Sequence, residues 1–174
     1  RNDIVVAYQG VEGAYSHQAM LQYFGEEVKN FNVKTFREAM EVIRDGKADY
    51  AVLPIENSSA GSVNDVCDLL LEFDNYIVAE TFVKVEHALL GTPDATMDDI
   101  QVVYSHPQSL MQSSNYLRET GWQQISMKNN AFAAQKVAEE KNPEQAAIAS
   151  EYAAKVYDLQ ILKKGVNDLK ENST

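Results

Sequence analysis

An α/β fold made of two βαβ-type lobes is predicted by three observations on the 174-residue sequence. Short β-branched runs alternate with stretches of helical periodicity, a pattern that calls for parallel sheets covered by helices. Glycine- and hydroxyl-rich segments recur where a strand gives way to a helix. A longer extended stretch, Tyr76 to Leu90, splits the pattern into two series and reads as a crossover between lobes. The expected lobes are 1–83 with 160–174, and 84–159, with a ligand cleft between them and a second crossover near 157–162.

Each element has its local reason. Ile4-Val5-Val6-Ala7-Tyr8 is a β-branched run that Gly10 and Gly13 break. Tyr15 to Phe24 follows as a helix, with Tyr15, Ala19, Met20, Tyr23 and Phe24 on one face. Asn32 to Thr35 is a brief strand, and Thr35-Phe36-Arg37-Glu38 a capping box whose helix runs to Asp45 and stops at Gly46. Tyr50 to Ile55 is the next strand and Val63 to Phe73 the next helix. In the second series Val102-Val103-Tyr104 is a strand, about Ser109 to Glu119 a helix, and Gln124 to Met127 a strand. Asn129 caps the Ala-rich helix to Glu140. Ala146 to Ala149, Ser150 to Tyr157 and Leu159 to Leu162 are then strand, helix and strand.

Composition narrows the function. A hydrophobic fraction of 45% can build a true core, and no run of about 18 apolar residues predicts a membrane span. The net charge of −11 argues against nucleic acid and anionic membranes as partners, though not against a small anion bound by local amides. Arg1-Asn2-Asp3 leads straight into a strand with no secretion signal, so a cytoplasmic setting is expected. The single cysteine, Cys67, lies in Val66-Cys67-Asp68-Leu69-Leu70 and is expected to be a small buried hydrophobe. His17, His87 and His106 lack ligand spacing, and no Walker loop, dinucleotide fingerprint or Gly-x-Ser-x-Gly elbow is present. Neither a metal nor a cofactor is expected.

Gly10 to His17, Pro54 to Val63 and Ser105-His106-Pro107-Gln108 all sit at strand-to-helix junctions, with Ala149-Ser150-Glu151 as a weaker fourth. Ligands of open α/β sheets bind beyond the carboxyl ends of strands, where helix N-termini offer backbone N–H groups. Each helix start favours an anion by roughly 0.3–1 kcal/mol. Serine and asparagine before helices are also ordinary caps, and glycine an ordinary turn former. Three such polar loops together favour a cleft for a small anionic molecule.

At these residues the chain resembles the prephenate dehydratases. Tyr8 to Ser16 is similar to their Gly-Pro-x-Gly-Thr/Ala-Phe/Tyr-Ser opening, and Pro54 to Val63 to their Pro-x-Glu-Asn-Ser segment. Tyr104 to Gln112 resembles Ser-His-Pro-Gln-x-x-x-Gln, and Asn172-Ser173-Thr174 the start of Asn-x-Thr-Arg-Phe. Val11 stands for the usual Pro, Ala14 for Thr, Ser113 for a frequent Cys and Asn130 for a frequent Thr. The resemblance implies a fold similar to type II periplasmic binding proteins and conversion of prephenate to phenylpyruvate in L-phenylalanine biosynthesis. It implies Thr174 as the catalytic contact to the leaving hydroxyl, and Ala14, Tyr15, Ser16, Asn57, Ser58, Ser105, Gln108 and Gln112 as substrate-binding residues. Glu56 has two readings, a carboxyl with a raised pKa near the ring or a helix-capping carboxylate, and the second is favoured. Arogenate as substrate, or a non-catalytic module binding a small anion, are the alternatives. The resemblance also implies a homodimer or higher homo-oligomer in a parent protein, with a chorismate mutase domain compatible with its start. The family's ACT regulatory domain is expected to be absent from this chain.

Overall fold

The computed structural model describes residues 3–55, 63–81 and 86–168. These fall into two compact units, one on each side of the 82–85 segment.

The first unit runs β1 (Val5–Gln9), α1 (Tyr15–Phe24), β2 (Lys29–Val33), α2 (Phe36–Arg44), β3 (Tyr50–Val52) and α3 (Val63–Phe73). β1 lies between β2 and β3, parallel to both. The pleat sends Val6 and Tyr8 to one face, where they meet Met20 of α1, and Ala7 to the other, where it meets Ala39 of α2. Thr35 caps α2 by accepting from Glu38 N, while Glu38 reaches back to Lys34 N, one residue further than the usual box. α3 lies on α2, with the Arg37 guanidinium on both Glu72 oxygens (2.6 and 3.0 Å) and over the Phe73 ring.

Two expectations fail here for one reason, the angular position of a residue on its helix. Cys67 is exposed. Val66 is buried with Leu69 and Leu70 half-buried, so the inward stripe passes through 66, 69 and 70 and leaves 67 and Leu71 outside. On α1 the buried positions are Ser16, His17, Ala19 and Met20, and Tyr23 is turned out.

The second unit runs β4 (His87–Gly91), a 3-10 turn (Met97–Asp99), β5 (Val102–Ser105), α4 (Pro107–Gln112), α5 (Ser114–Arg118), β6 (Gln123–Ser126), α6 (Asn130–Glu140), β7 (Gln145–Ser150), α7 (Glu151–Tyr157) and β8 (Gln160–Lys163). The sheet order is β6-β5-β7-β4-β8. β6, β5 and β7 are parallel, and β4 runs antiparallel to both β7 and β8. β7 is buried along its whole length. Ala147 and Ala149 face Ala133, Ala134 and Ala153, while Ala146 and Ile148 face Leu110, Leu117 and Val166. Alanines on both sides of the first seam let helix and sheet approach closely.

The sheet therefore mixes directions where parallel βαβ units were expected, within the same α/β class. Residues 160–168, assigned to the first lobe from the sequence, belong to the second unit. β8 finds its hydrogen-bond partner on the open edge of β4, and Val166 N continues the attachment by donating to His87 O (2.9 Å). The helix expected over 109–119 is two helices meeting at Ser113, whose wholly buried hydroxyl finds no hydrogen-bond partner among the described residues. Among the described residues no helix is long and apolar enough to cross a membrane.

Candidate active site

In the first unit the loop after β1 turns at Gly10 (φ 125°) and Gly13 (φ 92°), a backbone region that disfavours side chains. A Cβ at Gly10 would lie 2.9 Å from Ser16 Oγ, so the turn depends on the missing side chain. Ser16 folds back and donates to Gln9 O, and His17 Nδ1 accepts from Gly13 N (3.0 Å). The His17 ring stacks on Tyr8, centroids 4.7 Å apart. Burial holds His17 below its ordinary pKa, against the opposing charge of Glu12. Ala14 occupies the N-cap of α1 and supplies no side-chain oxygen. Ala14 and Tyr15 are half-buried at this turn, while Ser16 is buried and committed inward. Because β1 and β3 are parallel neighbours, Pro54 and Ile55 leave the same sheet edge. Glu56, Asn57, Ser58 and Thr174 lie outside the described residues.

In the second unit the polar residues gather where β5 and β7 end and β4 begins. Ser105 closes β5 at 0% exposure, its Oγ 2.7 Å from Asn130 Oδ1 and 2.8 Å from Ile148 O. One hydroxyl proton serves these two acceptors, so the group is held inside the protein. Asn130 opens α6 and accepts from His106 N (2.9 Å), which fixes its oxygen on that side. Its Nδ2 then donates to Ser109 Oγ (2.8 Å). His106 Nδ1 accepts from Gln108 N (3.0 Å) and so caps α4, which Pro107 starts. Gln108 and Gln112 are half-buried.

Gln112 is gripped at two points. Its Oε1 lies 2.8 Å from His87 Nε2, and its main-chain oxygen accepts from Asp168 N. His87 is 2% exposed, and burial lowers its pKa while the Gln112 contact opposes the shift. The Asp168 carboxylate accepts from Ser114 Oγ (3.0 Å) and Asn115 N (3.2 Å), and Asn167 Oδ1 accepts from His87 N (3.1 Å). Asn167 and Asp168 are thus anchored beside His87 and Gln112.

Sequence reasoning named Ser105, Gln108 and Gln112, which the structure brings to one sheet edge. It missed His87, Asn130 and Asp168 as supports. The signal for His87 was a lone histidine at the head of an apolar strand, and for Asn130 a helix-opening amide one residue inside the Asn129 cap.

Comparison with known proteins gives this edge a context. The family model described as prephenate dehydratase matches residues 6–174. The chloroplastic arogenate dehydratase/prephenate dehydratase 1 of Arabidopsis thaliana is 41% identical over 169 residues, covering 97% of this chain and 43% of that protein. The bifunctional chorismate mutase/prephenate dehydratase of Escherichia coli K12 is 36% identical over 173 residues, covering 97% of this chain and 45% of that protein. The chain thus spans less than half the length of either relative. The solved structure of GqqA, described as a novel type of quorum quenching acylase, superposes with a TM-score of 0.85 at 36% identity, covering 94% of this chain and 60% of that one. A family model matched almost end to end, together with the α/β fold and the polar sheet edge, shows that this chain belongs to the prephenate dehydratase family.

Proposed function

We propose that this chain is the catalytic unit of a prephenate dehydratase, a carbon–oxygen lyase that binds prephenate and releases phenylpyruvate. The ring carboxylate leaves as carbon dioxide, and its bonding electrons enter the ring as the hydroxyl departs with a proton as water. Aromatisation drives the step, so the protein's task is positioning and support of the leaving hydroxyl. The observation that carries the reading is Gln112, anchored by His87 and Asp168 beside the start of α4, where His106 caps the helix through Gln108 N. Gln108 and Gln112, with the α1 turn at Ala14 and Tyr15, bind the substrate's carboxylates and hydroxyl. Ser105 and Ser16, turned inward by their own hydrogen bonds, hold the loops that carry these contacts. Asn57 and Ser58 are assigned to substrate positioning and Thr174 to the hydroxyl. A homo-oligomer and a cytoplasmic setting belong to the same proposal.

Arogenate is the second reading, favoured by the name of the Arabidopsis relative. The test incubates the full-length protein with prephenate, with arogenate and with an N-acyl homoserine lactone, and follows phenylpyruvate, phenylalanine and acyl release. Phenylpyruvate from prephenate is expected. Its absence, with turnover of either other compound, overturns the reading.

A further inference from the structure

His87 has no part in the mechanism just given, yet it is placed as a tool of the site. It opens β4 opposite Ser150 of β7, and both its main-chain groups are taken, N by Asn167 Oδ1 and O by Val166 N. The backbone around the ring is therefore fixed. Its Nε2 lies 2.8 Å from Gln112 Oε1, across 25 residues of sequence. An amide oxygen only accepts, so the ring nitrogen facing it carries the proton. Turning the Gln112 amide over would set its NH2 against the ring and offer an oxygen to the site, where it would repel an anion. A glutamine side chain also loses much rotamer freedom on being ordered, and tying one end down beforehand removes that cost from binding. The main-chain oxygen of Gln112 is held as well, by Asp168 N.

We infer that His87 is a positioning residue whose Nε2–H holds the Gln112 carbonyl, so that the amide presents its NH2 donors to the anionic substrate. The inference rests on the reading of Gln112 as a substrate contact, and the experiment separates the two.

kcat and KM for phenylpyruvate formation are measured in the full-length protein for His87→Leu, His87→Gln, Gln112→Met and the double variant His87→Leu/Gln112→Met. Trp122 fluorescence checks the fold of each. His87→Leu should lower kcat/KM about ten- to a hundredfold, the scale of a lost hydrogen bond at a charged ligand. His87→Gln, whose terminal N–H reaches the place of Nε2, should recover to within about threefold of the parent. The double variant should be no worse than Gln112→Met alone, since the two groups act as one. If His87→Leu fails to fold, His87→Asn, too short to reach Gln112, replaces it with the same expectation. Parental kcat/KM in the Leu or Asn variant, no recovery in the Gln variant, or losses that multiply in the double variant would overturn the inference. An impaired Gln112→Met beside a fully active His87→Leu sinks the inference alone. A fully active Gln112→Met sinks the site reading with it.

Discussion

Asn130 is the sharpest test of how the polar edge is held. The side chain meets three partners, at 2.7 Å from Ser105 Oγ, 2.9 Å from His106 N and 2.8 Å from Ser109 Oγ. Asn130→Leu keeps the approximate shape and removes all three. Ser105 retains Ile148 O as its acceptor, so its loss is small. His106 N–H and Ser109 Oγ lose their partners, and a buried polar group left unpaired costs about 1–3 kcal/mol. Asn130 and His106 are only half-buried, so water recovers part of this. The expected total is about 2–4 kcal/mol, a fall in melting temperature of about 5–15 °C for a protein of this size. Trp122, the one tryptophan of the sequence, is half-buried against the core of the second unit and reports its unfolding directly. A melt within about 1 °C of the parent would show that Asn130 merely fills space. Asn130→Asp sharpens the reading. It still accepts from His106 N, and the Ser109 hydroxyl can donate to it, so the fold should survive while the added charge weakens binding of an anionic substrate.

Two further outcomes follow from burial. His17 and His87 both have pKa values lowered by burial, so the folded protein resists protons that the unfolded chain accepts near 6.5. Stability should be fully present above that pH and decline as the pH falls below it, with a shallower decline in His87→Gln; a melting temperature flat from pH 7 to 5 would contradict this. Cys67, exposed on α3, should react stoichiometrically with a thiol reagent in the native protein without changing its melt; labelling that waits for denaturant would put Cys67 back in the core.

How far the sequence could be read depends on which kind of contact decides each feature. α1 and α3 begin and end where local periodicity places them, at Tyr15–Phe24 and Val63–Phe73, because helix bounds are set by neighbours along the chain. The caps at Asn129 and Ser150 are also local, each accepting from the residue three positions on. β8 is different. A four-residue apolar strand carries nothing that names its partner, and only the open edge of β4 explains why Gln160–Lys163 joins the second sheet. The break at Ser113 was hidden because serine is tolerated in helix interiors. Cys67 was within reach of the sequence, since counting three and four from Val66 gives Leu69 and Leu70 and leaves 67 outside. In the site, Ser105 and Gln112 stand in a motif, whereas His87 becomes meaningful only when β4 inserts beside β7 and brings it to Gln112 from 25 positions away.

The order β6-β5-β7-β4-β8 also sets a timetable for synthesis. β4 is the first strand of its unit to leave the ribosome, yet its two partners are the last. β7 begins 54 positions after β4 ends, at 145 against 91, and β8 later still. At roughly 5–20 residues per second this is about 3–11 s during which His87-Ala88-Leu89-Leu90-Gly91 has neither edge paired. An apolar strand waiting that long is open to wrong pairing with another nascent copy. The first unit has no such delay, because β1 meets both its neighbours within the first 52 residues. Ribosome stalling or premature termination between 91 and 145 should therefore leave β4 unpaired and prone to aggregate.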